Sequence, residues 1–207
     1  KPKMVITDML PSYPTLIQEF FPDAAHQICI FHVIQAANLN FVRDMAHYRL
    51  RILDDPYEKR ILKKHYKEFI TSRRHLKPAE FDEVYEILSR HKGTLFYNAY
   101  RIKESVMDIF DSPSLGAAYA AKDELMESRF LMAGTHSEKT FKMFDNHFDN
   151  MVTYLRLGID CKTNNALEYT IRTLQRAEKA HNRFRKPHTN CRCTVTSHKK
   201  GAETLLP

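Results

Sequence analysis

Hydrophobic and polar positions alternate in two different ways along this chain. MVIT (Met4–Thr7) is a short apolar, β-branched run that ends on Asp8, a pattern that predicts a strand closing in a turn. The turn-like MLPSYP and the helical TLIQEFF follow it. HQICIF (His26–Phe31) predicts a second, buried strand, which runs into His32 and the amphipathic VIQAANLNFVRDMAHYRLRIL. Two short strands flanking a helix predict a βαβ unit with parallel strands, because a parallel pair needs a crossover connection.

From Pro56 onward only the helical period remains. PYEKRILKKHYKEFITSRR and PAEFDEVYEILSRH predict two amphipathic helices, the second opened by Pro78 and stopped near Gly93. LFYNAYRIKESVMDIF, SLGAAYAAKDELMESRFLM and SEKTFKMFDNHFDNMVTYLRLG follow, each delimited by Gly, Pro, Ser or Thr. Within the last of these, Phe141, Phe144, Phe148 and Tyr154 recur at helical spacing and predict core positions. A final helix is expected after Thr163, with Asn164 or Asn165 as its cap and Leu167, Ile171 and Leu174 facing inward. Beyond Lys186 there is no periodicity, which predicts a tail. The fold class expected from this order is α/β, with a large all-helical segment inside it.

Composition narrows the classes. With 207 residues, 43% of them hydrophobic, the chain can bury a sizeable core. No apolar run approaches the roughly 18 residues of a membrane helix, so no membrane insertion is expected. Four cysteines (Cys29, Cys161, Cys191, Cys193) are too few for a disulfide scaffold at this length and suit a reducing cytoplasm. The first residue is Lys1 and a strand follows almost at once, so the sequence reads as part of a longer protein.

The net charge of +7 is unevenly placed. Between Ile171 and Lys200 there are nine basic residues against one acid, Glu178, so the remainder of the chain is close to neutral. A cationic segment of this kind favours a polyanion, since each phosphate contact releases condensed counterions.

Two carboxylates change what that segment suggests. At 100° per residue, Glu168 projects from the same face as Arg172, Arg176, Lys179 and Arg183, all within roughly 80° of it. One acid therefore heads a basic stripe. An i,i+4 salt bridge to Arg172 would explain it structurally; a metal ligand beside a phosphate track would explain it functionally. Asp8 stands at the carboxyl end of an apolar strand, where α/β sheets place their ligands. As a turn residue it would need no such role.

Three stretches, VITDMLPSY, AHQICIFHVIQ and TNNALEYTIRTLQRAEKAHNRFR, resemble in order the second-aspartate strand, the Cys/Asp-x-x-His strand and the glutamate helix of DDE transposases. The likeness is to insertion-sequence enzymes of the ISL-three type, relatives of the Mutator-like elements. It covers Lys3 to about Asn40 and Cys161 to Arg185. The resemblance implies a partial ribonuclease-H-like core at residues 1–55, a helical insertion at 56–158, a C-terminal catalytic helix at 159–186 and a basic tail at 187–207. It implies Asp8 and Glu168 as catalytic metal ligands and His32 as a catalytic residue that orients the site. It also implies Mg2+ (or Mn2+) as cofactor and DNA, both transposon ends and target, as partner. Arg172, Arg176, Lys179, Arg183, Arg185 and Lys186 would hold the nucleic acid, in a possible homo-oligomer located in the cytoplasm at the nucleoid. The implied activity is metal-dependent DNA strand cleavage and strand transfer.

In the family the first aspartate lies on an earlier strand than VITD. The expectation is thus a C-terminal portion that is inactive alone. Two other functions fit parts of the sequence: a non-catalytic DNA-binding remnant, and a helical interaction module whose carboxylates are surface charges. A structural zinc site is a further alternative, built from Cys29 and His32 with His188, Cys191, Cys193 and His198, although that spacing matches no standard finger.

Overall fold

Residues Met4–Thr7 form strand β1 and Ala25–Ile28 form strand β2 in a computed structural model that describes residues 1–164 together with Thr173 and Arg176. The two strands pair in parallel, with Met4 opposite Ala25 and Thr7 opposite Ile28. Helix α1 (Tyr13–Phe20) supplies the crossover, with Pro14 in its first turn and Ile17 on its buried side. The βαβ unit is therefore present as its pattern predicts. Among the described residues these are the strands of the one sheet, and the protein is mostly helical, consistent with the α/β class.

The second strand is shorter than HQICIF suggested. Cys29 N–H still donates to Thr7 O across the pair (2.7 Å), but Ile30 already opens helix α2 (Ile30–His47) and its N–H turns to Lys162 O (3.0 Å). Ile28, Cys29, Ile30 and Val33 are all buried. An apolar run that is buried on both sides of the strand–helix junction carries no period to mark where one ends.

A π-helical turn, Tyr48–Ile52, closes α2. The helical part follows as α3 (Pro56–Lys64), α4 (Tyr66–Ile70), α5 (Pro78–Arg90), α6 (Leu95–Phe110), α7 (Leu115–Glu127), α8 (Glu138–Met151) and α9 (Thr153–Leu157). Local chemistry sets the boundaries. Asp55 Oδ1 accepts Tyr57 N–H (2.8 Å) ahead of α3, Thr94 Oγ1 accepts Tyr97 N–H (3.3 Å) ahead of α6, and Ser114 Oγ accepts Ala117 N–H (3.2 Å) ahead of α7. Pro56 and Pro78 occupy first helical positions, where a missing N–H costs nothing. Gly158, at φ +62°, ends α9 in a conformation that disfavours residues with a Cβ.

Helix α6 lies at the centre and packs against α2 and α7. Its buried residues include Phe96, Ala99, Tyr100, Ile102, Val106, Ile109 and Phe110, spread around the helix rather than confined to a stripe. Phe41, Phe69, Phe96 and Tyr100 meet there edge-on or tilted, with centroids 5.0–6.2 Å apart, the geometry that aromatic quadrupoles favour. Phe141, Phe144, Phe148 and Tyr154 are buried as their spacing predicts.

Polar side chains tie the helices to the βαβ unit. Asp44 on α2 is buried and accepts N–H groups from His136 and Ser137 (2.8 Å each), so one helix caps the start of α8 from outside it. Gln27 on β2, wholly buried, donates to Met151 O (2.8 Å) and accepts Tyr154 N–H (2.8 Å). Beside it, Thr153 Oγ1 donates to His26 O (2.8 Å). The α8–α9 junction thus covers the edge of β2 that faces away from β1. Residues 1–163 form one compact unit.

Inside α6, Lys103 and Glu104 make a buried ion pair at 2.5 Å. Lys103 Nζ also donates to Phe69 O (2.8 Å) and Thr71 O (2.9 Å), while Glu104 accepts Arg73 N–H (3.2 Å). Burial lowers the Lys103 pKa, against the opposing pull of Glu104. Every charge is hydrogen-bonded, which is what makes a buried pair tolerable. Among the described residues no helix is long and apolar enough to cross a membrane.

Candidate active site

Parallel strands end on the same side of their sheet. Asp8 directly follows β1, and His32 lies in the first turn of α2, which directly follows β2. The two side chains consequently line one open cleft of about 450 Å3, closed on one side by Met9 and Leu10 and on the other by Gln35, Ala36 and Leu39. His32, Gln35, Ala36 and Leu39 stand at i, i+3, i+4 and i+7, one face of α2.

Asp8 is held by its own turn. Its Oδ1 accepts Leu10 N–H at 3.1 Å, an Asx turn. Among the described residues no hydrogen bond or ion pair takes Oδ2. Thr7 Oγ1 donates to Asp8 O (2.9 Å) and lies 2.8 Å from His26 Nε2. With the hydroxyl proton spent on Asp8 O, His26 Nε2 is the donor of that second contact, which fixes its neutral tautomer. Burial, and secondarily the neighbouring His147, lower the His26 pKa in keeping with this. The strand chemistry that supports Asp8 had no signature in the sequence: Thr7 and His26 meet only through the strand register.

A half-exposed carboxylate with one unclaimed oxygen suits a hard divalent cation. One carboxylate is an incomplete donor set, and among the described residues no three His, Cys, Asp or Glu side chains converge to hold a metal. Glu168, Arg172, Lys179, Arg183, Arg185 and Lys186 lie outside the described residues. Arg176 is described as helical and exposed, as is Thr173, in line with a helix after Thr163. Of the alternative zinc set, Cys29 is buried, while His188, Cys191, Cys193 and His198 also lie outside the described residues.

The chain returns to this end of the strands before Glu168. Lys162 O accepts the Ile30 N–H at the start of α2, and Lys162 Nζ donates to Phe110 O (3.1 Å). This return is invisible in the linear text.

The sequence model of the DDE transposase family of the ISL-three type, described as a transposase, matches residues 1–189. The chain belongs to that family, and its role is that of a transposase. No curated protein and no solved structure matches it significantly.

Proposed function

We propose that this transposase-family chain contributes Asp8 and Glu168 to a metal-dependent site that cleaves DNA strands and transfers them. The observation that carries the reading is the position of Asp8: at the carboxyl end of β1, in a cleft shared with His32, with Oδ2 unclaimed among the described residues. Support comes also from Lys162, hydrogen-bonded at the N-terminus of α2. Glu168 is the sixth residue after it, and six residues span at most roughly 20 Å.

In this reading residues 1–55 and 159–186 belong to a ribonuclease-H-like core, 56–158 are a helical insertion and 187–207 a basic tail. Asp8 and Glu168 would hold Mg2+ or Mn2+. A bound divalent cation supplies Lewis-acid polarisation of the scissile phosphate and a lowered pKa of the attacking hydroxyl or water. Asp8 is oriented for this by the Leu10 N–H, and His32 borders the space into which a phosphate would enter. Arg172, Arg176, Lys179, Arg183, Arg185 and Lys186 would grip the DNA backbone of transposon ends and target.

The test is strand cleavage on DNA carrying the element's ends, measured in the active assembly with Mg2+. Asp8→Ala or Glu168→Ala should each abolish it. Unchanged cleavage in either variant removes that residue from the site.

A further inference from the structure

A second cleft, of about 460 Å3, opens between α5 and α6. Its walls are aromatic, with Phe81 and Tyr85 on α5 and Tyr97 and Tyr100 on α6. Phe81 and Tyr85 are one helical turn apart, their rings nearly parallel at 14° with centroids separated by 6.4 Å. They nevertheless remain 42% and 67% exposed. Helix α5 already buries Val84, Ile87 and Leu88 against the core, so its outward rings are not required to hold it in place.

The charges that line the cleft itself have one sign, and the acids Asp82 and Glu86 stand beside the rings on the outer surface of α5. Lys92, from the turn after α5, and Arg101, on α6, line the cleft, and neither makes an ion pair among the described residues. No acid lines it. Arg73, the third cation, is taken by Asp108 at 2.5 Å. Glu104, adjacent to Tyr100, is neutralised by Lys103.

Flat exposed rings beside uncompensated cations select a ligand with π faces and negative charge together. An unpaired nucleic-acid strand has both, because every base offers a face to stack and every linkage a phosphate. Bases inside a duplex are stacked on each other and cannot reach the rings. A neutral apolar helix would cover the rings and leave Lys92 and Arg101 without partners.

We infer that the α5–α6 cleft binds an unpaired segment of DNA, its bases stacked on Phe81 and Tyr85 and its phosphates held by Lys92 and Arg101. The inference rests on the DNA-acting role proposed above and adds to it a site for single strands separate from the Asp8 cleft. Strand opening at a cleavage site would supply such a segment.

The test is fluorescence anisotropy of the full chain with a labelled oligothymidylate and with a duplex of equal length. Tyr85→Ala should weaken the oligothymidylate complex by about tenfold or more, with duplex affinity and salt dependence unchanged. Lys92→Gln combined with Arg101→Gln should instead make the slope of log K against log salt shallower by about 1.4 for the single strand. All three side chains are exposed, and circular dichroism checks that each variant keeps its helices. The inference is overturned if oligothymidylate does not bind. It is equally overturned if Tyr85→Ala and Phe81→Ala both leave its affinity unaltered, or if they change only self-association in sedimentation, which would assign the rings to a protein partner. Failure of the proposed catalytic reading is read separately, in the cleavage assay with Asp8→Ala and Glu168→Ala.

Discussion

The carboxylate of Asp8 and the imidazole of His32 line the same cleft because Asp8 follows β1 and His32 lies in the first turn of the helix that comes after β2, its parallel partner. Their neighbourhood owes nothing to sequence proximity. It depends on the crossover by α1 and on the register that sets Thr7 opposite Ile28, so changes to the strands should reach the site.

His26 offers a way to see that coupling through pH. Its pKa is lowered from the ordinary 6.5 by burial, so the unfolded chain binds a proton more readily than the folded one. The stability that depends on neutral His26 is fully present above about pH 6.5 and is lost as pH falls through the lowered folded value. Urea titrations should show stability declining in that window, and His26→Gln should flatten the decline. An identical pH profile in the variant would show that His26 does not titrate on unfolding.

Asp44 is the cap that α8 does not supply for itself. Asp44→Ala strips acceptors from the buried Ser137 N–H and the partly buried His136 N–H, at a cost of about 2 kcal/mol. Thermal unfolding should record the loss, with Asp44→Asn recovering part of it because one amide oxygen remains. No loss in Asp44→Ala would mean that water replaces the carboxylate.

Lys103 and Glu104 should behave as a unit. Lys103→Met leaves Glu104 buried with Arg73 as its remaining cation and should cost roughly 3–5 kcal/mol. Lys103→Met with Glu104→Leu should cost less than the two single changes added together, which a double-mutant cycle measures. Strict additivity would show the pair to be uncoupled.

The basic segment predicts a salt effect. If Arg172, Arg176 and Arg183 each contact a phosphate, duplex binding should weaken as salt rises, and neutralising all three should make the log–log slope shallower by about 2.7. A slope unaffected by these changes would place the DNA elsewhere.

How much could be read from the text depended on which interactions carried each feature. The βαβ unit was legible because MVIT and HQICIF are short apolar runs set against a 3.6-residue pattern, and the core aromatics because Phe141, Phe144 and Phe148 keep that period. The end of β2 was not legible, since Cys29 and Ile30 are buried in either conformation. Gln27, Asp44 and the Thr7–His26 contact were also missed: each is a polar residue whose partner is fixed by tertiary register, and nothing local distinguishes it from a surface residue. Asp8 could be singled out by its place after a strand, and its role as a metal ligand is a proposal. The α5–α6 cleft was hidden because Phe81 and Tyr85 fit an ordinary amphipathic helix until their exposure is known.

The central claim is that Asp8 and Glu168 bind one divalent metal site. Mn2+ binding followed by electron paramagnetic resonance tests it most directly, in the unmodified chain, in Asp8→Asn and in Glu168→Gln. Tight binding in the unmodified chain, weakened about tenfold or more by either single change and hardly further by both together, is the predicted result. Mn2+ affinity that is indifferent to Asp8→Asn, or losses from the two variants that simply add, would contradict it.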